Sequence, residues 1–184
     1  RPANEMPPLG IAEEARDRAR AVGLRARIIG ARELERMGAG MLMAVGRGSE
    51  NPPCMVVLSG GTPRAKDPLG RRLAMVGKGV CFDTGGLNIK PSAGMALMKK
   101  DMGGAATVLG LAQMIMQLGL PLRLRVIVAA VENVISGNAL KPKDILTSRK
   151  GLTVEVNDTD AEGRLVLADA LALATEEPCD VLIS

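Results

Sequence analysis

Apolar and polar positions change along the chain with periods that predict helices and strands in turn. The pattern predicts helices at 9–22, 32–37, 102–118 and 164–175, and strands at 24–29, 55–58, 72–76, 123–131, 152–156 and 181–184. Strands that alternate with helices are typical of a sheet covered by helices. We therefore expect a three-layer α/β domain, in which a central mixed, mostly parallel sheet is flanked by helices.

Four local patterns lead to more specific expectations. The helix at 102–118 is apolar all round, which predicts packing on several sides. The Gly-Lys-Gly step at 77–79 predicts that the strand starting at 72 runs into a loop, and 152–156 is expected to be a second buried strand after 123–131. The uncharged stretch 102–122 is long enough to span a bilayer, but its glycines, glutamines and proline favour a buried helix. No membrane partner is expected.

Composition excludes several kinds of chemistry. The 184 residues contain no His, Trp or Tyr, so histidine-based triads and imidazole-ligated zinc are excluded. One aromatic residue, Phe82, offers no stacking platform, and a net charge of +4 without a basic run argues against nucleic acid as a partner. Three widely spaced cysteines indicate a reducing compartment. Chemistry must therefore depend on carboxylates, amines, guanidinium groups, hydroxyls or thiols.

Two loops collect most of the unusual residues, and each follows a predicted strand and precedes a helix. The first spans 77–86 and continues to Lys90 and Asp101, and the second spans 157–164. Ligands of open α/β sheets bind outside the carboxyl ends of strands. In extended backbone Asp158, Asp160 and Glu162 would point to one side, where a metal, or Lys and Arg, would have to offset their repulsion.

Each of these residues also has an ordinary structural explanation. Asp101 could cap the helix that follows it, and Glu162 could be a favourable acid in a first helical turn. Lys78 and Lys90 could be surface lysines, and Cys81 a small core residue. A calcium-binding EF-hand is excluded, because a strand rather than a helix precedes the second loop.

Both loops resemble a known family. The segments GKGVCFDTGGLNIKPSAGMALMKKDMGGAA and NDTDAEGRLVLADAL are similar to the two signature blocks of the leucyl aminopeptidase family, the M17 metallopeptidases. The resemblance covers nearly the whole chain. It implies a metal-dependent aminopeptidase that hydrolyses the N-terminal bond of peptides by means of water activated by two divalent metals. Zinc or manganese is implied, with cobalt or magnesium as alternatives.

The resemblance also implies roles for individual residues. Lys90 and Arg164 match the two catalytic positions that are not ligands, with a bicarbonate near the arginine as the base. Met98 matches a position of the pocket for the first substrate side chain. The implied ligands of the tighter metal are Lys78, Asp83, Asp101 and Glu162. Those of the exchangeable metal are Asp83, Asp160 and Glu162.

The resemblance carries expectations about organisation as well. We expect 1–184 to be a single domain, most of a catalytic domain, with the family's N-terminal domain and the C-terminal part of the catalytic domain absent. A cytoplasmic homo-hexamer acting on peptides with a free N-terminus is implied. Asp158 departs from the family, where Asn is more frequent, and adds negative charge beside the cluster. Two alternatives stay open: a catalytically silent fragment, and a DNA-binding or regulatory member of the family.

Overall fold

The computed structural model describes residues 1–61 and 70–184. Its helices are α1 (Pro8–Ala21), α2 (Ala31–Arg36), α3 (Gly40–Gly46), α4 (Ser92–Met95), α5 (Gly103–Gln117) and α6 (Glu162–Ala174). Its strands are β1 (Arg25–Gly30), β2 (Cys54–Gly61), β3 (Arg72–Asp83), β4 (Arg123–Asn133), β5 (Ile145–Thr147), β6 (Thr153–Glu155) and β7 (Val181–Ile183). Short 3₁₀ helices lie at Ala3–Glu5, Met98–Lys100 and Thr159–Ala161.

Five strands form one mixed sheet in the order β1-β2-β4-β3-β7. β3 pairs in parallel with both β4 and β7, whereas β2 runs antiparallel to β4 and to β1. Helices precede β4 and β7 in the chain and explain why these strands are parallel to β3. Parallel neighbours need a connection that returns the chain to the end of the sheet where the previous strand began. The expected α/β fold with a mixed sheet between helices is confirmed.

Two apolar cores separate the three layers. The central strand β4 is buried on both faces, since alternate residues face opposite sides of a sheet. Val126 and Val128 pack in the core beneath α1 and α5, together with Ile11 and Val108. Ile127, Ala129 and Val131 of β4 pack in the other core, beneath α3 and α6.

The Gly-Lys-Gly step does not interrupt β3, so the expected change from strand to loop is wrong. Gly77 and Gly79 pair in register with Val128 and Ala130 of β4. A Cβ atom on Gly77 would lie 2.8 Å from the Cα of Ala105 and a Cβ on Gly79 2.7 Å from a carbonyl oxygen of β4. The glycines are therefore explained by close packing of α5 and β4 on the strand.

Two other expectations about packing are wrong. The strand at 152–156 is the short β6, which pairs with β5 in a separate two-stranded sheet and is not buried. Helix α5 is buried along one stripe, through Ala105, Val108, Ala112 and Ile115, while Met114 and Leu118 are exposed. An apolar composition all round thus coexists with one-sided packing. No helix in the described part of the chain is long and apolar enough to cross a membrane.

Helix α3 lies inside a glycine-rich stretch for which the sequence predicted no element. Its first turn is stabilised by a residue far away in the sequence. Oδ2 of Asp169 accepts hydrogen bonds from the backbone N–H groups of Met41 and Leu42 at 2.9 and 3.0 Å. Oδ1 of Asp169 accepts a third bond, from the N–H of Arg149 at 2.8 Å. This fully buried carboxylate of α6 therefore joins α3 and the loop after β5.

Candidate metal centre

The carboxyl ends of β3 and β4 and the start of α6 converge on one acidic cluster. Asp83 is the last residue of β3 and pairs in register with Asn133, the last residue of β4. Glu162 is the first residue of α6, and Asp160 lies in the 3₁₀ turn just before it. Carboxylate oxygens of Asp83, Asp160 and Glu162 all lie within 4.8 Å of one another.

The three carboxylates differ in exposure. Asp83 and Glu162 are 2% and 1% exposed, whereas the side chain of Asp160 is 33% exposed. Burial raises the pKa of Glu162, and the nearby Asp83 adds to the rise, although Lys78 partly offsets it. Acids that are both buried and adjacent cannot all carry charge without compensating cations.

Lys78 supplies one of the compensating charges. Its Nζ lies 2.8 Å from both Oδ2 of Asp101 and Oε1 of Glu162. Burial lowers the pKa of Lys78, whereas hydrogen bonds and charge interactions with these two acids raise it. The acids together outweigh burial, so the net shift of the pKa is upward. For the carboxyl group of Asp101, burial has the opposite effect and raises the pKa. Gly163 leaves room for the ammonium group, since a Cβ there would lie 2.8 Å from Nζ.

Lys90 supplies the second positive charge. Its Nζ lies 2.9 Å from Oδ2 of Asp83 and also pairs with Asp160. Burial lowers the pKa of Lys90, but hydrogen bonds to Asp160 and Asp83 raise it well above its usual value. Lys90 is therefore protonated at neutral pH. Neither lysine is a plain surface residue.

Counting formal charges shows an imbalance within the cluster. Four carboxylates face two ammonium groups, which leaves an excess of two negative charges when all six are ionised. An excess of carboxylate oxygens in a mostly buried space is the donor set that divalent cations require. Asp83, Asp101, Asp160 and Glu162, with Lys78 once it has lost its proton, are the residues that could hold them.

Asn133 belongs to this cluster, but the sequence analysis did not identify it. Its Nδ2 donates to Oδ1 of Asp83 at 2.8 Å and to the carbonyl oxygen of Thr159 at 3.0 Å. A longer contact of 3.4 Å reaches Oε2 of Glu162. Its position could be found only from its strand register beside Asp83. Asn133 orients two acids that come from different parts of the chain.

Two glycines allow the loop after β3 to pack against the turn before α6. Gly85 and Gly86 adopt φ values of +89° and +63°, which disfavour other residues. A Cβ on Gly86 would lie 3.0 Å from Oγ1 of Thr159 and 3.1 Å from Oδ1 of Asn133. Oγ1 of Thr159 in turn donates to the carbonyl oxygen of Gly85 at 2.7 Å. This contact brings Asp83 and Asp160 together.

Two structural expectations for the acids are wrong. Asp158 does not join the cluster, because 159–161 form a 3₁₀ turn rather than extended backbone; its Oδ1 accepts the N–H of Asp160 at 2.8 Å. Asp101 does not cap α5, since Met102 occupies the cap position and Asp101 faces Lys78. Glu162 does occupy a first helical turn, as predicted, and Cys81 is buried in the core.

Arg164 and Met98 lie apart from these contacts. Arg164 is exposed in the first turn of α6 and forms no ion pair within the described ranges 1–61 and 70–184. Met98 is partly buried and begins the short 3₁₀ helix that leads to Asp101. The roles of both residues stay predictions.

Comparison of the sequence with known proteins identifies relatives of this chain. The family model described as "Cytosol aminopeptidase family, catalytic domain" matches residues 1–184. The chain is 48% identical over 183 residues to a probable cytosol aminopeptidase of Synechococcus sp. (strain JA-3-3Ab), covering 99% of this chain and 36% of that protein. The chain therefore belongs to the cytosol aminopeptidase family and matches its catalytic domain.

Solved structures give the same picture. Cytosol aminopeptidase from Coxiella burnetii superposes with a TM-score of 0.93 at 45% identity, over 99% of this chain and 38% of that one. The bottromycin maturation enzyme BotP in complex with Mn superposes with a TM-score of 0.89 at 39% identity, over 100% of this chain and 40% of that one. The chain thus spans little more than a third of the length of these relatives.

Proposed function

We propose that this chain provides the metal centre of an aminopeptidase that removes N-terminal residues from peptides. The observation that carries the proposal is the meeting of Asp83, Asp160 and Glu162, with carboxylate oxygens within 4.8 Å, beside two lysines that neutralise only part of the charge. Membership of the cytosol aminopeptidase family supports the reaction class. The activity of the whole protein is inferred from relatives that are nearly three times as long.

Two divalent cations would be held by residues that the fold already brings together. Lys78, Asp83, Asp101 and Glu162 are the proposed ligands of the tighter cation. Asp83, Asp160 and Glu162 are the proposed ligands of the exchangeable one. When bound, such a pair supplies Lewis-acid activation of water and of a peptide carbonyl. Lys78 can be a ligand only as a neutral amine, so binding requires that its proton leave the ion pairs with Asp101 and Glu162.

The other residues are proposed to orient substrate and stabilise charge. Lys90 is protonated, mostly buried and next to two of the acids, so its ammonium group can stabilise negative charge that develops on the carbonyl oxygen. Arg164, in the first turn of α6, is proposed to hold an anion, with bicarbonate as the catalytic base. Met98, which precedes Asp101 by three residues, is proposed to contact the first substrate side chain.

Five further properties are proposed from the relatives or from the family resemblance. Manganese is a proposed metal because a similar solved structure, BotP, is described in complex with Mn, and zinc, cobalt and magnesium are the alternatives. A cytoplasmic location is supported by relatives named cytosol aminopeptidase and by the three free cysteines. Assembly as a hexamer, the identity of 1–184 as a single domain, and bicarbonate rest on the family resemblance alone.

A matched pair of variants tests the proposal. Asp83→Asn removes a charge that the site requires, whereas Asp158→Asn removes a charge from an exposed acid that only caps a turn. We expect Asp83→Asn to lose metal-dependent hydrolysis of unblocked dipeptides and Asp158→Asn to keep it within a few-fold. Hydrolysis in Asp83→Asn equal to that of the parent protein would overturn the assignment.

A further inference from the structure

The loop that ends at Lys90 is shaped by polar contacts rather than by burial. It runs from 84 to 90 and closes on itself, because the backbone N–H of Lys90 donates to the carbonyl oxygen of Thr84 at 2.9 Å. Leu87 and Ile89, the apolar residues at its tip, are 42% and 58% exposed. Apolar packing therefore does little to fix the position of this loop.

Asn88, between these two apolar residues, connects the loop to the turn that carries Asp160. Its Oδ1 accepts a hydrogen bond from the backbone N–H of Thr159 at 2.9 Å. In return, the backbone N–H of Asn88 donates to Oγ1 of Thr159, also at 2.9 Å. Because each residue both donates and accepts, the pair restrains distance and orientation together.

This pair of residues lies close in sequence to the charged groups of the metal centre. Thr159 directly precedes Asp160, and Asn88 is followed two residues later by Lys90. Nζ of Lys90 lies 2.9 Å from Oδ2 of Asp83 and also pairs with Asp160, and the lysine side chain is 15% exposed. If residue 88 lacked an acceptor, the N–H of the fully buried Thr159 would lose this hydrogen bond and the loop would lose its connection to the turn.

We propose that Asn88 is a positioning residue, whose contact with Thr159 holds the ammonium group of Lys90 beside Asp83 and Asp160. The side-chain hydrogen bonds of Asn88 in the described part of the chain go to Thr159, so Asn88 acts through Lys90. The inference rests on the proposed function, which assigns to Lys90 the stabilisation of developing charge. A displacement of about 1 Å of a group that acts on the transition state can lower a rate by about 10²-fold.

Acetylation of lysines measures the position of Lys90 without relying on catalysis. The metal-loaded protein is treated briefly with acetic anhydride, and peptide mass spectrometry gives the rate of modification at each lysine. In Asn88→Ala, we expect Lys90 to react about fivefold faster or more, because opening of the loop exposes its amine. Lys78, which lies on β3 outside the loop, is the internal reference and should not change.

Two further variants make the acetylation test specific. Asn88→Asp keeps an acceptor for the N–H of Thr159, so it should restore slow modification of Lys90. Asn138→Ala changes an exposed asparagine away from the loop and is the matched control.

Steady-state kinetics with an unblocked dipeptide measures the effect on the reaction. Asn88→Ala should lower kcat about tenfold and change KM by less than about twofold, because Lys90 acts on charge that develops in the transition state. In a Lys90→Met background, Asn88→Ala should have no further effect on kcat, since its effect depends on Lys90. A further loss of about tenfold in that background would overturn the proposal.

The outcomes distinguish this proposal from the proposed function. Faster acetylation of Lys90 alone in Asn88→Ala, with a slow rate in Asn88→Asp, supports the positioning role. An unchanged rate in Asn88→Ala, equal rates in the two variants, or equal acceleration at Lys90 and Lys78 would overturn it. Absence of hydrolysis by the metal-loaded parent protein would contradict the proposed function, whereas the acetylation rates would still decide whether Asn88 positions Lys90.

Discussion

The two ends of the central sheet differ sharply in charge although they are built from the same strands. Where β3 and β4 end, Asp83 and Asn133 lie beside Asp160 and Glu162, and acids exceed lysines. Where β3 and β4 begin, the described residues that line a cavity include four arginines and one glutamate. The buried apolar residues between the two ends give neither of them charge compensation. The acidic end is therefore expected to need a cation, whereas Arg72 and Arg125 at the other end each face an acid.

The two ends also differ in how firmly their charged side chains are held in position. At the acidic end the charged groups are nearly all paired, and Asn133 and two positive-φ glycines fix their positions. At the arginine end Arg72 and Arg125 pair with the more exposed acids Asp180 and Glu177. Firmly positioned groups of this kind are what catalysis requires.

The largest expected effect is loss of catalysis at the acidic end. Lys90→Met should lower peptide hydrolysis by about 10²–10³-fold, because an ammonium group that stabilises developing charge is removed. Metal content should be retained, since Lys90 is not a proposed ligand. Steady-state kinetics with elemental analysis measures both. Lys99→Met, which changes an exposed lysine, is the control; equal activity in both variants would contradict the assigned role.

Replacing Asp169, a buried acid that lies outside both ends, should affect the stability of the fold rather than catalysis. Asp169→Ala removes a carboxylate that accepts three backbone N–H groups and should lower the free energy of unfolding by about 3 kcal/mol. Metal content of the folded fraction should not change. Urea denaturation measures the effect, with Asp17→Ala on the exposed side of α1 as control. A loss below about 1 kcal/mol would show that the three bonds do not hold α3.

Removing a supporting residue should weaken the metal centre without abolishing it. Asn133→Ala deletes the amide that orients Asp83 and the turn at Thr159, so metal affinity should fall about 10–100-fold. Competition with a chelator measures the affinity. The exposed Asn138→Ala should leave it unchanged. Unchanged affinity in Asn133→Ala would mean that the acids are positioned without the amide.

The smallest effect is expected at the arginine end. Arg125→Met replaces a mostly buried guanidinium group, one nitrogen of which is unsatisfied, with an apolar side chain of similar length. The free energy of unfolding should change by less than about 1 kcal/mol, because its partner Glu177 is exposed and the pair is weak. Denaturant unfolding tests this. A loss of several kcal/mol would make Arg125 a structural residue.

The sequence predicted the α/β fold because periodicity reports which faces are buried. It could not predict that β3 continues through Gly77 and Gly79, since that depends on how closely α5 and β4 approach the strand. Helix α3 was not predicted for a similar reason. The carboxylate that stabilises its first turn belongs to Asp169, which is 128 residues away from Met41 in the sequence. Contacts of this kind are set by the tertiary structure.

The residues of the candidate site were likewise only partly predictable from the sequence. Signature segments identified Lys78, Asp83, Asp101, Asp160 and Glu162, and the structure brings these residues into one cluster. Side-chain alternation wrongly added Asp158, because a 3₁₀ turn replaces the extended backbone that the argument assumed. Asn133 was missed because an uncharged amide at the end of a strand has no sequence signal of its own.

The most direct test of the account is the metal content per chain. Elemental analysis after dialysis against Mn²⁺ or Zn²⁺ and removal of excess metal should give about two metal ions per chain for the parent protein. Glu162→Gln, which changes the acid shared by both proposed ligand sets, should lose most of this metal, while Asp158→Asn should keep it. Full retention of metal by Glu162→Gln would contradict the central claim that this acidic cluster is a metal centre.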